Sequence, residues 1–176
     1  LQSILVIEDT HFQGTAGQFG FSVAAIGDIV GGDGVDEFVV GAPMVDSGAL
    51  SSGTATVYDI DGNLLMTIDG SIVDEGLGYD VSALGDADGD RIPDFLVSAP
   101  GMVAGPGNSY RFPGADGSLV HTLAGERDDT HFGMQVSTAS DIDGDGSRDI
   151  IVAEFDFTWQ QSLVHVLRPL HSLPYR

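Results

Sequence analysis

Two stretches decide the fold: Asp86-Ala-Asp-Gly-Asp-Arg-Ile-Pro-Asp94 and Asp141-Ile-Asp-Gly-Asp-Gly-Ser-Arg-Asp149. Each places carboxylates at positions 1, 3, 5 and 9 of a nine-residue loop, with a glycine at position 4 to permit the bend. A hard cation such as Ca²⁺ takes about 6–8 oxygen ligands at ~2.3–2.6 Å, and this spacing wraps a short loop around one ion. The candidate ligands are the side chains of Asp86, Asp88, Asp90 and Asp94 in one loop, and of Asp141, Asp143, Asp145 and Asp149 in the other. The main-chain carbonyls of Ile92 and Ser147, at position 7, can add a further oxygen each. A solvated acidic turn would explain one such loop; two copies with the same spacing point to calcium.

The residues after each loop exclude a helical calcium site. An EF-hand loop closes on a bidentate Glu at position 12 and enters a helix. Position 12 here is Val97 or Val152, inside Phe95-Leu-Val and Ile150-Ile-Val. Such short β-rich runs read as buried strands, so the loops connect the strands of β-hairpins.

The loops are parts of a longer repeat. Asp86 and Asp141 lie 55 residues apart, and Asp28 lies 58 before Asp86. An apolar-Gly step and a short strand precede each: Phe19-Gly20-Phe-Ser-Val, Leu77-Gly78-Tyr-Asp-Val and Phe132-Gly133-Met-Gln-Val. Gly41-Ala-Pro43 and Ser98-Ala-Pro100 come after the first two, and Ala153-Glu-Phe155 replaces that turn in the third. A period of this length marks a supersecondary unit that buries its faces against copies of itself.

In this order of motifs the unit resembles the FG-GAP repeat of integrin α-subunit β-propellers and of bacterial secreted and surface proteins. The resemblance covers nearly the whole chain. It implies an all-β fold of four-stranded antiparallel propeller blades, with the calcium loop joining the first two strands of each blade. It also implies ligand recognition on the face opposite those loops, here by 42–53, 69–76, 99–107, 124–131 and 154–161. The first repeat departs from the pattern. Its loop, Asp28-Ile-Val-Gly-Gly-Asp33-Gly-Val-Asp36-Glu37, has one extra residue and no carboxylate at position 3. Asp28, Asp33 and either Asp36 or Glu37 would make a weaker site there.

Parsed as blades, residues 19–76 form the first, 77–131 the second and 132–176 an incomplete third, with 1–18 an outer strand and lead-in. The first blade's strands are expected at 19–27, 37–42, 53–60 and 63–68, and the second's at 77–85, 94–98, 108–113 and 117–123. The third has 132–140, 149–154 and 162–168; Pro169 and Pro174 argue against a fourth strand. Ser3 to Ile7 reads as an outermost strand without a blade of its own. Propellers have about 4–8 blades, so three do not close a ring. The chain is therefore either part of a larger propeller or a homo-oligomer whose copies pair at blade edges, Ser3–Ile7 of one meeting Leu163–Leu167 of the next.

Composition narrows the function classes. The chain has 176 residues, no cysteine, no lysine and a net charge of −21. That charge repels nucleic acid and anionic lipid, and no apolar run approaches the ~18 residues of a membrane span. The start carries neither Met nor a signal-like segment, consistent with a processed or excised chain. Without lysine there is no Walker A loop and no Schiff-base chemistry. Neither G-x-S-x-G nor H-E-x-x-H occurs. His11 and His131 share a Thr-His-Phe step and read as structural repeat positions. Phe155-Asp-Phe-Thr-Trp159 holds the only tryptophan; Phe155, Phe157 and Trp159 either bind a ligand or pack against one another. The reading is a non-catalytic, calcium-stabilised adhesion module, secreted or at the cell surface, for an extracellular protein or glycan. The alternatives are a self-assembling structural unit and a carbohydrate-active or lectin-like domain.

Overall fold

The computed structural model describes residues 5–7, 17–103, 105–119 and 121–169. Among these residues the protein is all-β, with three antiparallel sheets and no helix. The first sheet is β1 (Ser22–Gly27), β2 (Glu37–Ala42), β3 (Thr54–Tyr58) and β4 (Leu64–Asp69), in chain order. The second repeats that order with β5 (Val81–Gly85), β6 (Asp94–Ala99), β7 (Asn108–Phe112) and β8 (His121–Ala124). The third has β9 (Thr130–Thr138), β10 (Ile150–Asp156) and β11 (Gln161–Leu167), with β11 at its edge. These are consecutive propeller blades that do not close into a ring. The strands keep the expected order, although β8 starts at His121, four residues later than the Asp116-Gly117 turn suggests.

Stacking of the sheets makes the core. Ile26, Val39 and Val57 of the first sheet meet Val81, Phe95, Val97 and Phe112 of the second in one buried cluster. Leu84 and Leu96 on the other side of the second sheet meet Phe132, Val136, Ile150 and Val152 of the third. The second sheet is thus covered on both faces, and every residue of β6 is buried. In β10, with a neighbour on one face, buried and half-buried residues alternate, as the two-residue period of a strand requires.

The apolar-Gly step explains the close stacking. Gly78 and Gly133 adopt φ of 86° and 93°, a backbone region that side chains disfavour. A Cβ on Gly78 would collide with the Thr54 carbonyl of the preceding sheet, and one on Gly133 would lie 2.6 Å from the Asn108 carbonyl. Gly20 shares the conformation, and among the described residues nothing lies within 4 Å of a Cβ built there. Polar ties add to the packing: Ser22 Oγ donates to the Gly78 carbonyl at 2.9 Å, and the Val136 amide donates to Asp80 Oδ2 at 2.8 Å. Burial pushes the Asp80 carboxyl above the usual aspartate range, against the pull of the Val136 and Val81 amides.

The expected N-terminal strand is absent among the described residues. Ser3, Ile4 and residues 8–16 lie outside them, as does Pro174. Leu5 to Ile7 form no strand. Leu5 and Ile7 instead border a groove with Phe19, Phe38, Val40 and Ile60 on the first sheet. An apolar segment without a partner strand beside it is better placed covering apolar surface than in water.

Candidate metal centre

All three hairpin loops are organised by backbone amides that donate to the loop's own carboxylates, with the first and closing acids used alike in each. In the second repeat, Asp86 accepts from the amides of Gly89 (2.7 Å) and Arg91 (3.0 Å). Asp88 accepts from the Asp90 amide at 3.1 Å, and Asp90 from the Ile92 amide at 2.7 Å. Asp94, at the start of β6, reaches back to the Ala87 amide at 3.0 Å. The third repeat reproduces the set. Asp141 accepts from Gly144, Asp145 and Gly146, Asp143 from Asp145, Asp145 from Ser147 and Asp149 from Ile142. A turn in which short acidic side chains bond amides further along the chain is the ordinary behaviour of Asp in loops. Here it also brings the carboxylates toward one another.

One oxygen from each of Asp86, Asp88 and Asp90 lies within 4.8 Å of the others, and so do oxygens of Asp141, Asp143 and Asp149. Asp94 is not in the first group, nor Asp145 in the second. The Gly146 amide above all, with those of Gly144 and Asp145, holds the Asp141 carboxyl below the usual range. Burial pushes Asp94 up to about 6, opposed first by the Ala87 amide and then by Arg111. Asp94 is fully buried, and its Oδ1 has no hydrogen-bond partner among the described residues. A buried carboxylate oxygen left over beside an all-oxygen donor set fits a hard cation.

The first loop keeps the scaffold but fewer acids. Asp28 accepts from Gly32 (3.1 Å) and Gly34 (2.6 Å), and Asp33 from Val35 (2.9 Å). Glu37 Oε2 takes the amides of Ile29 (2.7 Å) and Val30 (3.2 Å), the bond that Asp94 and Asp149 make in their loops. Glu37 therefore occupies the closing position; Asp36, at the exposed neighbouring position, does not.

Two guanidinium groups escaped the sequence reading. Arg111 in β7 is only 2% exposed, with Nη2 3.2 Å from Asp94 Oδ2 and 3.6 Å from Asp88 Oδ2. Arg168, just beyond β11, contacts Asp143 and lies 3.5 Å from Asp145. Aligning the third strands of the repeats would have flagged Arg111, since Val57 and Val166 hold its place.

The aromatic turn lies at the other end of the third sheet. Phe155 and Phe157 meet edge to face at 4.5 Å, and His131 meets Phe157 at 4.8 Å. His131 Nδ1 also sits 2.5 Å from the Gly101 carbonyl, a structural contact between repeats. Trp159 is 71% exposed. His11 lies outside the described residues.

No family model matches the chain. It is 28% identical to integrin alpha-5 of Xenopus laevis over 88% of its length, and 27% identical to integrin alpha-4 of the same species over 77%. Human integrin alpha-11 is 26% identical over 98%. The chain spans 14–16% of the length of these relatives. With the repeated motifs and the three stacked sheets, these matches make the chain a relative of the FG-GAP-like repeats of integrin α subunits.

Proposed function

We propose that the chain is a calcium-stabilised run of propeller blades, 19–76, 77–131 and 132–176, within an extracellular adhesion or binding module, with a binding rather than a catalytic role. The carrying observation is the convergence of carboxylate oxygens in both full loops, within 4.8 Å in each. Three like charges so close repel one another, and a divalent cation turns that repulsion into attraction. Asp86, Asp88, Asp90 and Asp94 would hold one ion, Asp141, Asp143, Asp145 and Asp149 another, with the Ile92 and Ser147 carbonyls contributing. Calcium then pins each hairpin between the first two strands of its blade and stabilises the folded state by mass action.

The matches to integrin α subunits support an extracellular protein as the partner. Among the described residues no helix is long and apolar enough to cross a membrane. The recognition surface is assigned to the loops away from the calcium hairpins, where Trp159 and Phe157 are 71% and 58% exposed. The test is thermal melting of a metal-free preparation. Millimolar Ca²⁺ should raise the melting temperature and a chelator should reverse it; indifference to calcium would sink the reading. Trp159→Ala should alter partner binding while leaving that calcium response intact.

A further inference from the structure

The two full loops have the same acids and different counter-charges. Arg111 places a guanidinium between position 3 and position 9 of the second loop, 3.6 Å from Asp88 and 3.2 Å from Asp94. Its stem lies in β7, opposite Leu96, and its side chain is buried. In the third loop Val166 stands at that place. The cation there, Arg168, is 62% exposed and touches Asp143 from outside. The converging acids differ accordingly. They come from positions 1, 3 and 5 in the second loop and from positions 1, 3 and 9 in the third, where Asp149 has joined the group that Asp94 has not.

We infer that Arg111 sets the metal affinity of the second loop, making it a weaker calcium site than the third by holding Asp94 in a buried ion pair and adding a fixed positive charge beside Asp88. The inference rests on the calcium reading above. An incoming Ca²⁺ needs the oxygens that Arg111 engages, and like charges repel more strongly in a buried setting than in water. An exposed arginine can swing into solvent, and its surface ion pairs are worth little. A guanidinium held inside the sheet cannot leave, and breaking its pair exposes a buried charge. With calcium scarce, Arg111 neutralises part of the second loop's charge. The third loop has no buried equivalent among the described residues, so it depends more on the ion.

Calorimetric titration of the metal-free chain with Ca²⁺ tests this. Two classes of site should appear, about tenfold or more apart in Kd. Asp141→Asn should remove the tighter class and Asp86→Asn the weaker. Arg111→Met keeps the apolar stem; it should tighten the second site about tenfold, while the melting temperature in chelator falls. A purely structural Arg111 would lower the melting temperature without strengthening the metal site, and that result overturns the inference. So does weakened binding in Arg111→Met, or equal affinities left by the two Asn variants. If Arg111→Met does not fold in chelator, the ranking from the two Asn variants decides alone. Absence of calcium binding at millimolar concentration overturns the proposed function as well, whereas equal affinities overturn only this inference.

Discussion

The first hairpin loop and the third share a scaffold but not a set of acids. In both, the first acid accepts amides from the glycines further along the loop, and the closing acid reaches back to the residue after the first. The third loop also has Asp143, and its carboxylates converge; at the matching place the first loop has Val30 and an extra glycine. The difference separates two jobs that acids do in such a loop. Amide bonding shapes the turn and needs no metal. Ligation needs the full set of charges, which the turn alone does not supply.

The largest effect is expected from removing the charge on which ligation in the third loop would depend. Asp141→Asn keeps a side-chain oxygen for the amides yet loses the charge. It should abolish most of the calcium-induced rise in melting temperature, itself about 5–10 °C at calcium well above Kd. Melting curves with and without chelator give the answer. Next in size is the reverse experiment. Deleting Gly31 and making Val30→Asp gives the first loop acids at positions 1, 3, 5 and 9, with Glu37 closing. A third calcium should then bind, seen as extra stoichiometry in a titration; unchanged stoichiometry would mean that charge spacing is insufficient.

A smaller effect comes from pH. Asp94 is raised from 3.8 to about 6 in the folded chain, so the folded state binds its proton more tightly than the unfolded one. Metal-free stability should therefore rise as pH falls from about 6 toward 4, by on the order of 1–2 kcal/mol. Calcium stabilisation should shrink over the same window as protons compete for the ligand. Asp94→Asn should flatten the profile in denaturant titrations at several pH values. The smallest effect belongs to the first loop. Asp28→Asn should change stability by under about 1 kcal/mol, equally with and without calcium.

Much of this was legible in the sequence because the repeat shows each rule more than once. Strand order, hairpin loops and the glycine steps come from motifs with local causes: Gly78 and Gly133 need both a positive φ and a missing Cβ. The closing residue of the first loop was not legible. Asp36 and Glu37 are adjacent acids, and only the pairing of Glu37 with Gly27 across β1 and β2 decides between them. Arg111 was hidden for another reason. It lies 17 residues beyond Asp94, and its contact with the loop arises from strand pairing rather than from the motif. The N-terminal segment is described only at Leu5 to Ile7, which form no strand within the chain; an aliphatic run fixes neither its partner nor whether that partner belongs to the same copy.

The most direct test tracks backbone amides by nuclear magnetic resonance while calcium is added to the metal-free chain. Gly89 and Gly144 donate to the first acids of the two full loops, and Gly32 does so in the first. The account predicts large shifts at Gly144 and Gly89 by millimolar calcium, with Gly32 nearly still. Amides of Gly89 and Gly144 that do not move, or that move no more than Gly32, would contradict it.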